Sequence, residues 1–268
     1  MHKKVFDELR KIVYENIGIS LSDRKITLVS SRINKRLRLL QLASYEDYLN
    51  YLKTDKTGQE LVRFLNVIST NTTHFFREPA HFEVLASLIK KWSSQGQRRF
   101  RIWCAAASSG EEPYTLAMTV LENVKGTNVD VKILATDIST EILAKAQAGV
   151  YQAEAVKGIP KHLLSRYFVK IREGASYYYQ ASDQLRGLIT YRRLNLATPP
   201  FPMKGPFELV FCRNVMIYFD NAVRKRLVDD IYRLLKPGGY LMIGHSESLT
   251  RLGTDFKSVQ PAVYIKTK

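Results

Sequence analysis

The sequence predicts an α/β protein in two parts: an N-terminal helical bundle, then a domain built on a mostly parallel sheet. Three observations predict this. The first 75 residues contain helix-periodic apolar stripes and no strand-like run. From residue 98 onward, short apolar runs alternate with helix-periodic segments, the pattern of βαβ units. Polar residues recur where those runs end, at the sheet edge where open α/β folds bind ligands.

Composition sets the bounds. A chain of 268 residues, 45% hydrophobic, has room for one large or two small domains with a real core. Its two cysteines, Cys104 and Cys212, sit in apolar runs and read as buried thiols in a reducing compartment. The five histidines are scattered without metal-ligand spacing, so no metal is expected. The start, MHKKVFDELRKIVYENIGI, is charged and helix-periodic rather than a signal peptide. No apolar run approaches the length of a membrane span, so a cytoplasmic protein without membrane insertion is expected. Lys and Arg number 41 against 25 Asp and Glu, a formal charge of +16. Such a balance calls for an acidic partner, either nucleic acid or an acidic protein surface.

The elements follow in order. Phe6, Leu9, Ile12, Val13 and Ile17 mark a first helix that Gly18 ends. Ser22 or Asp23 is expected to cap a second, with Ile26, Val29, Ile33, Leu37 and Leu40 as its apolar stripe. Its other face carries Arg24, Lys25, Arg32, Lys35, Arg36 and Arg38, six cations against the single acid Asp23 over residues 23–38. That face reads either as a solvated surface or as a docking site for an acidic helix or phosphates. Aromatic residues do not alternate with these cations, which weighs against single-stranded nucleic acid. Ser44 with Asp47 resembles a capping box before a third helix, and a fourth is expected over Thr57 to Ile68.

The linker NVISTNTTHFFREPAHFEVL carries Asn71, Thr72, Thr73, His74 and Arg77, more polar side chains than a helix cap needs. Arg77 has the fork to hold a carboxylate. Pro79 opens a helix through Phe82, Leu85, Leu88 and Ile89.

In the α/β part, Ile102 to Cys104 is a buried strand, Ala105 to Gly110 a turn of small residues, and Glu111, Glu112 and Pro113 open a helix. The second strand, VKILATD, ends at Asp137, and Thr140 to Ala148 is helical. Tyr151 to Phe168 is expected to be helical, with Pro160 as a start. Ile171 and Tyr177 to Tyr179 flank Glu173-Gly174 as a hairpin, part of a small β insertion over about residues 169–190. Leu188 to Leu194 returns as a third core strand into Asn195 and Leu196, and Phe207 to Cys212 is a fourth, running into Arg213, Asn214 and Tyr218. A helix over Val223 to Leu235 breaks at Lys236-Pro237-Gly238-Gly239 before a fifth strand, YLMIG. FKSV and AVYIK form a closing antiparallel hairpin.

The turn after the first strand indicates what binds. A dinucleotide turn uses G-x-G-x-x-G so that pyrophosphate rests on the helix N-terminus. Here Gly110 stands alone and two carboxylates follow it, which repel phosphate. They suit a ligand with hydroxyls and positive charge, as S-adenosylmethionine has, or they are ordinary dipole-stabilising acids; this stretch leaves both readings open. Asp137 stands where such folds grip ribose hydroxyls, or caps the next helix. His245, Ser246 and Glu247 do not make a hydrolase triad. Neighbours on an extended segment point in alternate directions, and no G-x-S-x-G elbow is present.

The stretches NTTHFFRE (71–78), WCAAASSGEEPYTLAM (103–118), ILATDIS (133–139), FCRNVMIYF (211–219), LKPGG (235–239) and GHSES (244–248) closely resemble the chemotaxis receptor methyltransferases, the CheR family. Together with the basic bundle they span nearly the whole chain. The resemblance implies a helical receptor-docking domain (1–75) and a class I, Rossmann-like S-adenosylmethionine-dependent methyltransferase domain (76–268) carrying a small antiparallel β-subdomain. It implies methylation of glutamate side chains on the helical cytoplasmic domain of chemoreceptors. It also implies cofactor contacts from Asn71, Thr73, Arg77, Glu111 or Glu112, Asp137, Asn195, Leu196, Arg213 and Asn214. Arg77 and Tyr218 would lie nearest the reacting centre, and Arg32, Lys35, Arg36 and Arg38 would dock the receptor. Some members grip a receptor C-terminal peptide with a glycine-containing β-turn; IREGASYYYQ departs from that pattern, with one Gly and many Tyr. Members also serve surface-sensing pathways. A nucleic-acid methyltransferase is the rival enzyme, but its [D/N]-P-P-[Y/F] turn is replaced by Asn214-Val215-Met216-Ile217-Tyr218. A cofactor-sensing adaptor without turnover is the rival outside enzymes.

Overall fold

A computed structural model describes residues 1–69, 71–124, 128–174 and 176–268. Thr70 of the linker and Ala175 of the hairpin turn, both in stretches singled out above, lie outside the described residues.

The bundle comprises α1 (Lys3–Ile17), α2 (Ile26–Leu40), α3 (Tyr45–Thr54) and α4 (Gln59–Ile68). Gly18 closes α1 in the left-handed conformation that its missing Cβ allows, at φ 68°. Its ideal Cβ would also lie 2.4 Å from the Ala197 Cβ, so the helix end packs directly on the second domain. Phe6, Leu9, Val13, Ile33, Tyr48 and Phe64 fill the bundle's core. The capping expectation holds at α3, where the Ser44 hydroxyl accepts the Asp47 amide at 3.1 Å. It fails at α2: a 3-10 turn over Asp23–Lys25 precedes the helix, and neither Ser22 nor Lys25 makes a side-chain cap. Asp23 instead pairs with Arg10 at 2.7 Å.

Two of the four cations assigned to docking are drawn into the fold. Arg36 forms a two-pronged pair with the buried Glu60, at 2.9 and 2.5 Å, and Tyr48 donates to the same carboxylate at 2.9 Å. Arg32 donates to the α4 C-terminal carbonyls of Val67 and Ser69, at 3.0 and 3.2 Å, which that helix end leaves without intrahelical partners. Lys35 and Arg38 stay exposed.

After α5 (Ala80–Ser94), the second domain alternates β1 (Arg99–Cys104), α6 (Glu111–Asn123), β2 (Asp130–Asp137) and α7 (Thr140–Ala148). A small unit follows: β3 (Val150–Gln152), α8 (Lys161–Tyr167), β4 (Phe168–Glu173) and β5 (Ser176–Ala181), with β3-β5-β4 as an antiparallel sheet. Then come α9 (Asp183–Arg186), β6 (Ile189–Arg193), β7 (Phe207–Cys212), α10 (Asn221–Leu234), β8 (Leu235–Ile243), β9 (Lys257–Gln260) and β10 (Val263–Ile265). The main sheet runs β6-β2-β1-β7-β8-β10-β9, parallel from β6 to β8 and antiparallel through β10 and β9.

Alternation along the strands divides the core. Phe100, Ile102 and Cys104 face one side with α5, α6 and the small sheet, and Trp103 faces the other with α10. Every residue of β7 is buried, as a central parallel strand covered on both faces requires.

Two expectations are corrected. Of the helix expected over Tyr151 to Phe168, only α8 after Pro160 forms, and residues 150–152 are a strand: the Tyr151 ring packs on Phe75 with centroids 5.0 Å apart, and its hydroxyl donates to the Ser109 carbonyl at 2.8 Å. That anchors the small sheet behind the first turn. The helix does break, ending at Leu234, but the strand begins at once: Leu235–Gly239 already belongs to β8, where Gly238 and Gly239 exchange backbone hydrogen bonds with Lys266.

Candidate active site at the carboxyl edge of the sheet

A cleft opens where β1, β2, β6 and β7 end. Its floor is the turn after β1. Ser108 adopts a left-handed φ of 48° and its amide donates to Asp137 at 2.9 Å; the other Asp137 oxygen accepts the Ser139 amide at 3.0 Å. Asp137 therefore ties the first and second turns together while still facing the cleft. Burial pushes its carboxyl up from the ordinary value, against the pull of three backbone amides. Gly110, at φ 99°, has no room for a side chain, since a Cβ would lie 2.7 Å from the Tyr151 hydroxyl. The small residues of this turn thus answer to packing from behind as well as to the ligand side.

The back wall is an ion network around Arg213, whose side chain is fully buried. Its guanidinium reaches Glu112 at 2.8 Å, Glu78 at 3.1 Å and the Arg77 carbonyl at 2.6 Å, and lies 5.6 Å from the ring centres of Phe82 and Phe211. Glu112 also accepts the Cys104 thiol at 3.2 Å. Its carboxyl is pushed up by burial, with Arg213 pulling against that. Burial acts on Glu78 too, but Arg213 and the Asn214 amide outweigh it and hold Glu78 below its ordinary value. Behind the network, His81 and His245 approach Glu78 at 3.5 and 3.9 Å. Among the described residues these three form a group close enough to consider for a cation. The Glu78 oxygen they face is the one Arg213 already contacts.

Most of the residues marked from sequence meet at this cleft. Asn71, Thr73, Arg77, Glu112, Asp137, Asn195, Leu196, Arg213, Asn214 and Tyr218 all line it. Glu111 does not. It is buried beside the cleft, accepts the Ser109 hydroxyl at 2.6 Å, and is pushed up by burial. Of the two acids, Glu112, the one favoured from sequence, lines the cleft. Asn195 divides its amide between two backbones, donating to the Asn16 carbonyl at 2.7 Å and accepting the Ala197 amide at 3.0 Å. Arg77 donates to the Thr72 carbonyl at 2.9 Å and has no carboxylate partner among the described residues. Arg32, Lys35, Arg36 and Arg38 lie on α2, outside the lining.

Three contributors were given no role from sequence. Glu78 follows Arg77 directly in the NTTHFFRE stretch, so its motif marked it. Glu247 accepts four backbone amides, from Gly244, Asn214, Val215 and Ile217 at 2.6, 2.9, 3.0 and 3.3 Å. The third is the end of α1 and the loop after it. Ile17 and Ile19 line the cleft, Ile19 bridges to Phe219, and the Ser20 amide donates to the Tyr218 carbonyl at 2.8 Å. No local pattern in that loop announced a wall of the site.

The arrangement fits S-adenosylmethionine. Carboxylates, Glu112 and Asp137, line the cleft at the first two strand ends. Ile138, Leu196 and Phe219 supply apolar walls, and Arg77 supplies a guanidinium.

The comparisons agree. Residues 4–69 match the family described as "CheR methyltransferase, all-alpha domain", and residues 71–265 match "CheR methyltransferase, SAM binding domain". A chemotaxis protein methyltransferase of Borreliella burgdorferi is 38% identical over 271 residues, covering 98% of this chain and 94% of its own. A chemotaxis protein methyltransferase 2 of Pseudomonas aeruginosa is 39% identical, covering 97% and 91%, and the Escherichia coli chemotaxis protein methyltransferase is 36% identical, covering 98% and 91%.

Proposed function

The chain belongs to the CheR methyltransferase family, and on that premise we propose that it esterifies glutamate side chains on the helical cytoplasmic domain of chemoreceptors. It is a methyltransferase, and S-adenosylmethionine is its methyl donor. When bound, that molecule supplies a methyl group activated on a sulfonium. The observation that carries the reading is the cleft itself: Asp137 and Glu112 line the sheet edge, and Arg77 and Tyr218 line the same space.

The protein's tasks follow from the chemistry. A glutamate carboxylate is already ionised at neutral pH, its free pKa being about 4.3, so no general base is needed. Catalysis rests on aligning one carboxylate oxygen with the methyl group and removing its water. Asp137 would accept the ribose hydroxyls and Glu112 the amino group. Asn71, Thr73, Asn195, Leu196 and Asn214 would complete the cofactor's surroundings. Arg213 is committed to Glu78 and Glu112, so its part is to hold the wall in place. Arg77 is the guanidinium left to orient a carboxylate in a two-pronged contact. The Tyr218 hydroxyl would position the attacking oxygen. Lys35 and Arg38, exposed on α2, would meet the acidic receptor helix.

The test is incubation with tritiated S-adenosylmethionine and either receptor cytoplasmic fragments or nucleic acid. Base-labile label on the receptor fragment is expected. Label on nucleic acid, or cofactor binding with no transfer to receptor, would overturn the proposal.

A further inference from the structure

The GHSES stretch holds the reactive turn from the side opposite the cleft. We propose that Glu247 is a positioning residue for methyl transfer: its carboxylate clamps the backbone of Asn214 to Ile217 and thereby aims Asn214 and the Tyr218 ring into the cleft. This rests on the functional reading above and deepens it.

Four amide donors converge on this one carboxylate. One oxygen takes Gly244 at 2.6 Å and Asn214 at 2.9 Å; the other takes Val215 at 3.0 Å and Ile217 at 3.3 Å. The ends of β7 and β8 are thus joined by a side chain that is not part of the cleft lining. The clamped backbone is not one the chain adopts freely. Asn214 sits at φ 57°, a conformation that persists where surroundings over-determine it. Gly244 is part of the same device, because a Cβ there would lie 2.4 Å from the Asn214 side-chain nitrogen and 3.0 Å from its amide. The turn's far end is held separately, by the Ser20 amide on the Tyr218 carbonyl.

The side chain is specific for the task. Gln would put an NH₂ group against two amide donors, and Asp is one methylene too short to reach all four. The His245-Ser246-Glu247 run therefore contributes through Glu247 and the nest it fills.

The experiment is a double-mutant cycle on the full chain, with a receptor cytoplasmic fragment as substrate. Glu247→Gln is expected to lower kcat by about 10- to 100-fold, the scale of a small misplacement of reacting groups. The loss of kcat should exceed any loss of S-adenosylhomocysteine affinity, which reports only the displaced Asn214, and the melting temperature should fall by a few degrees as two amides lose their acceptor. Combining it with Tyr218→Phe should add little, since a misaimed hydroxyl has little left to lose. Gly244→Ala displaces Asn214 from the other direction and should lower kcat in the same way. Wild-type kcat in folded Glu247→Gln, or losses that multiply independently with Tyr218→Phe, would overturn the inference. Where Glu247→Gln does not fold, Glu247→Asp and Gly244→Ala carry the test, and wild-type kcat in both would overturn it. Should the wild-type chain itself fail to methylate the fragment, the functional reading falls instead.

Discussion

Replacing Arg213 with Met separates what the central ion network does for the fold from what it does for the site. Arg213 has no exposed side-chain surface, and its guanidinium serves Glu112 at 2.8 Å and Glu78 at 3.1 Å. Met preserves much of the volume against Phe82 and Phe211 but leaves two partly buried carboxylates with no counter-charge. Breaking a buried pair in this way costs about 3–5 kcal/mol. For a chain of this size that is a fall in melting temperature of about 10 °C. Glu112→Gln should behave oppositely. Burial already disfavours the ionised Glu112 carboxyl, and Arg213 keeps Glu78 as its partner. Stability should therefore move by less than about 1 kcal/mol, while S-adenosylhomocysteine affinity, read by calorimetry, falls at least about tenfold, or 1.4 kcal/mol. Urea unfolding of both variants at neutral pH measures the contrast. An Arg213→Met protein within about 1 kcal/mol of wild type, or a Glu112→Gln protein that loses as much as Arg213→Met, would refute the reasoning.

Further outcomes follow from the same geometry. Asp137→Ala removes the acceptor shared by the Ser108 and Ser139 amides as well as the group proposed to face the ribose. It should weaken S-adenosylhomocysteine binding by at least about tenfold in calorimetry, and unchanged affinity would contradict the assigned contact. Lys35→Glu with Arg38→Glu should raise KM for the receptor fragment and leave cofactor affinity alone. Arg36→Glu, by contrast, sets two carboxylates together at Glu60 and should destabilise the bundle by at least about 3 kcal/mol in urea unfolding. His81 is pushed down to about 4, by burial first and Arg213 second. Its unfolded form takes up a proton near pH 6.5 and the folded form does not, so stability rises with pH between about 4 and 6.5. From this residue alone the protein should lose about 2 kcal/mol between pH 7 and pH 5, and His81→Phe should abolish that part of the slope.

Sequence patterns exposed the parts of the fold set by local periodicity. The stripe from Phe6 to Ile17 and the largely apolar, fully buried β7 needed nothing beyond spacing and burial to be read. Strand ends were legible for a related reason: in a parallel sheet, Asp137 and Arg213 lie at one edge whatever the loops do. Misreadings fell where a distant partner decides. Tyr151 joins a strand because Phe75 and the Ser109 carbonyl, far away in sequence, receive it. Arg36 looked like its exposed neighbours Lys35 and Arg38, and only Glu60, on another helix, draws it inward. Glu111 and Glu112 could not be ranked from spacing, since the first helical turn sends one toward Ser109 and the other toward Arg213. The left-handed Asn214 and the Glu247 clamp are products of two strand ends meeting, which no single stretch encodes.

The segment from Asn16 to Ser20, the end of α1 and the loop after it, makes the bundle a co-owner of the cleft. It adds Ile17 and Ile19 to the lining, takes the Asn195 amide on the Asn16 carbonyl, and donates to the Tyr218 carbonyl. A chimera that borrows the bundle of a relative to redirect receptor choice would import a new cofactor wall with it. On the docking role proposed for the bundle, recognition and donor affinity would be inherited together, and a graft aimed at one would have to carry residues 16–20 of the host to leave the other unchanged.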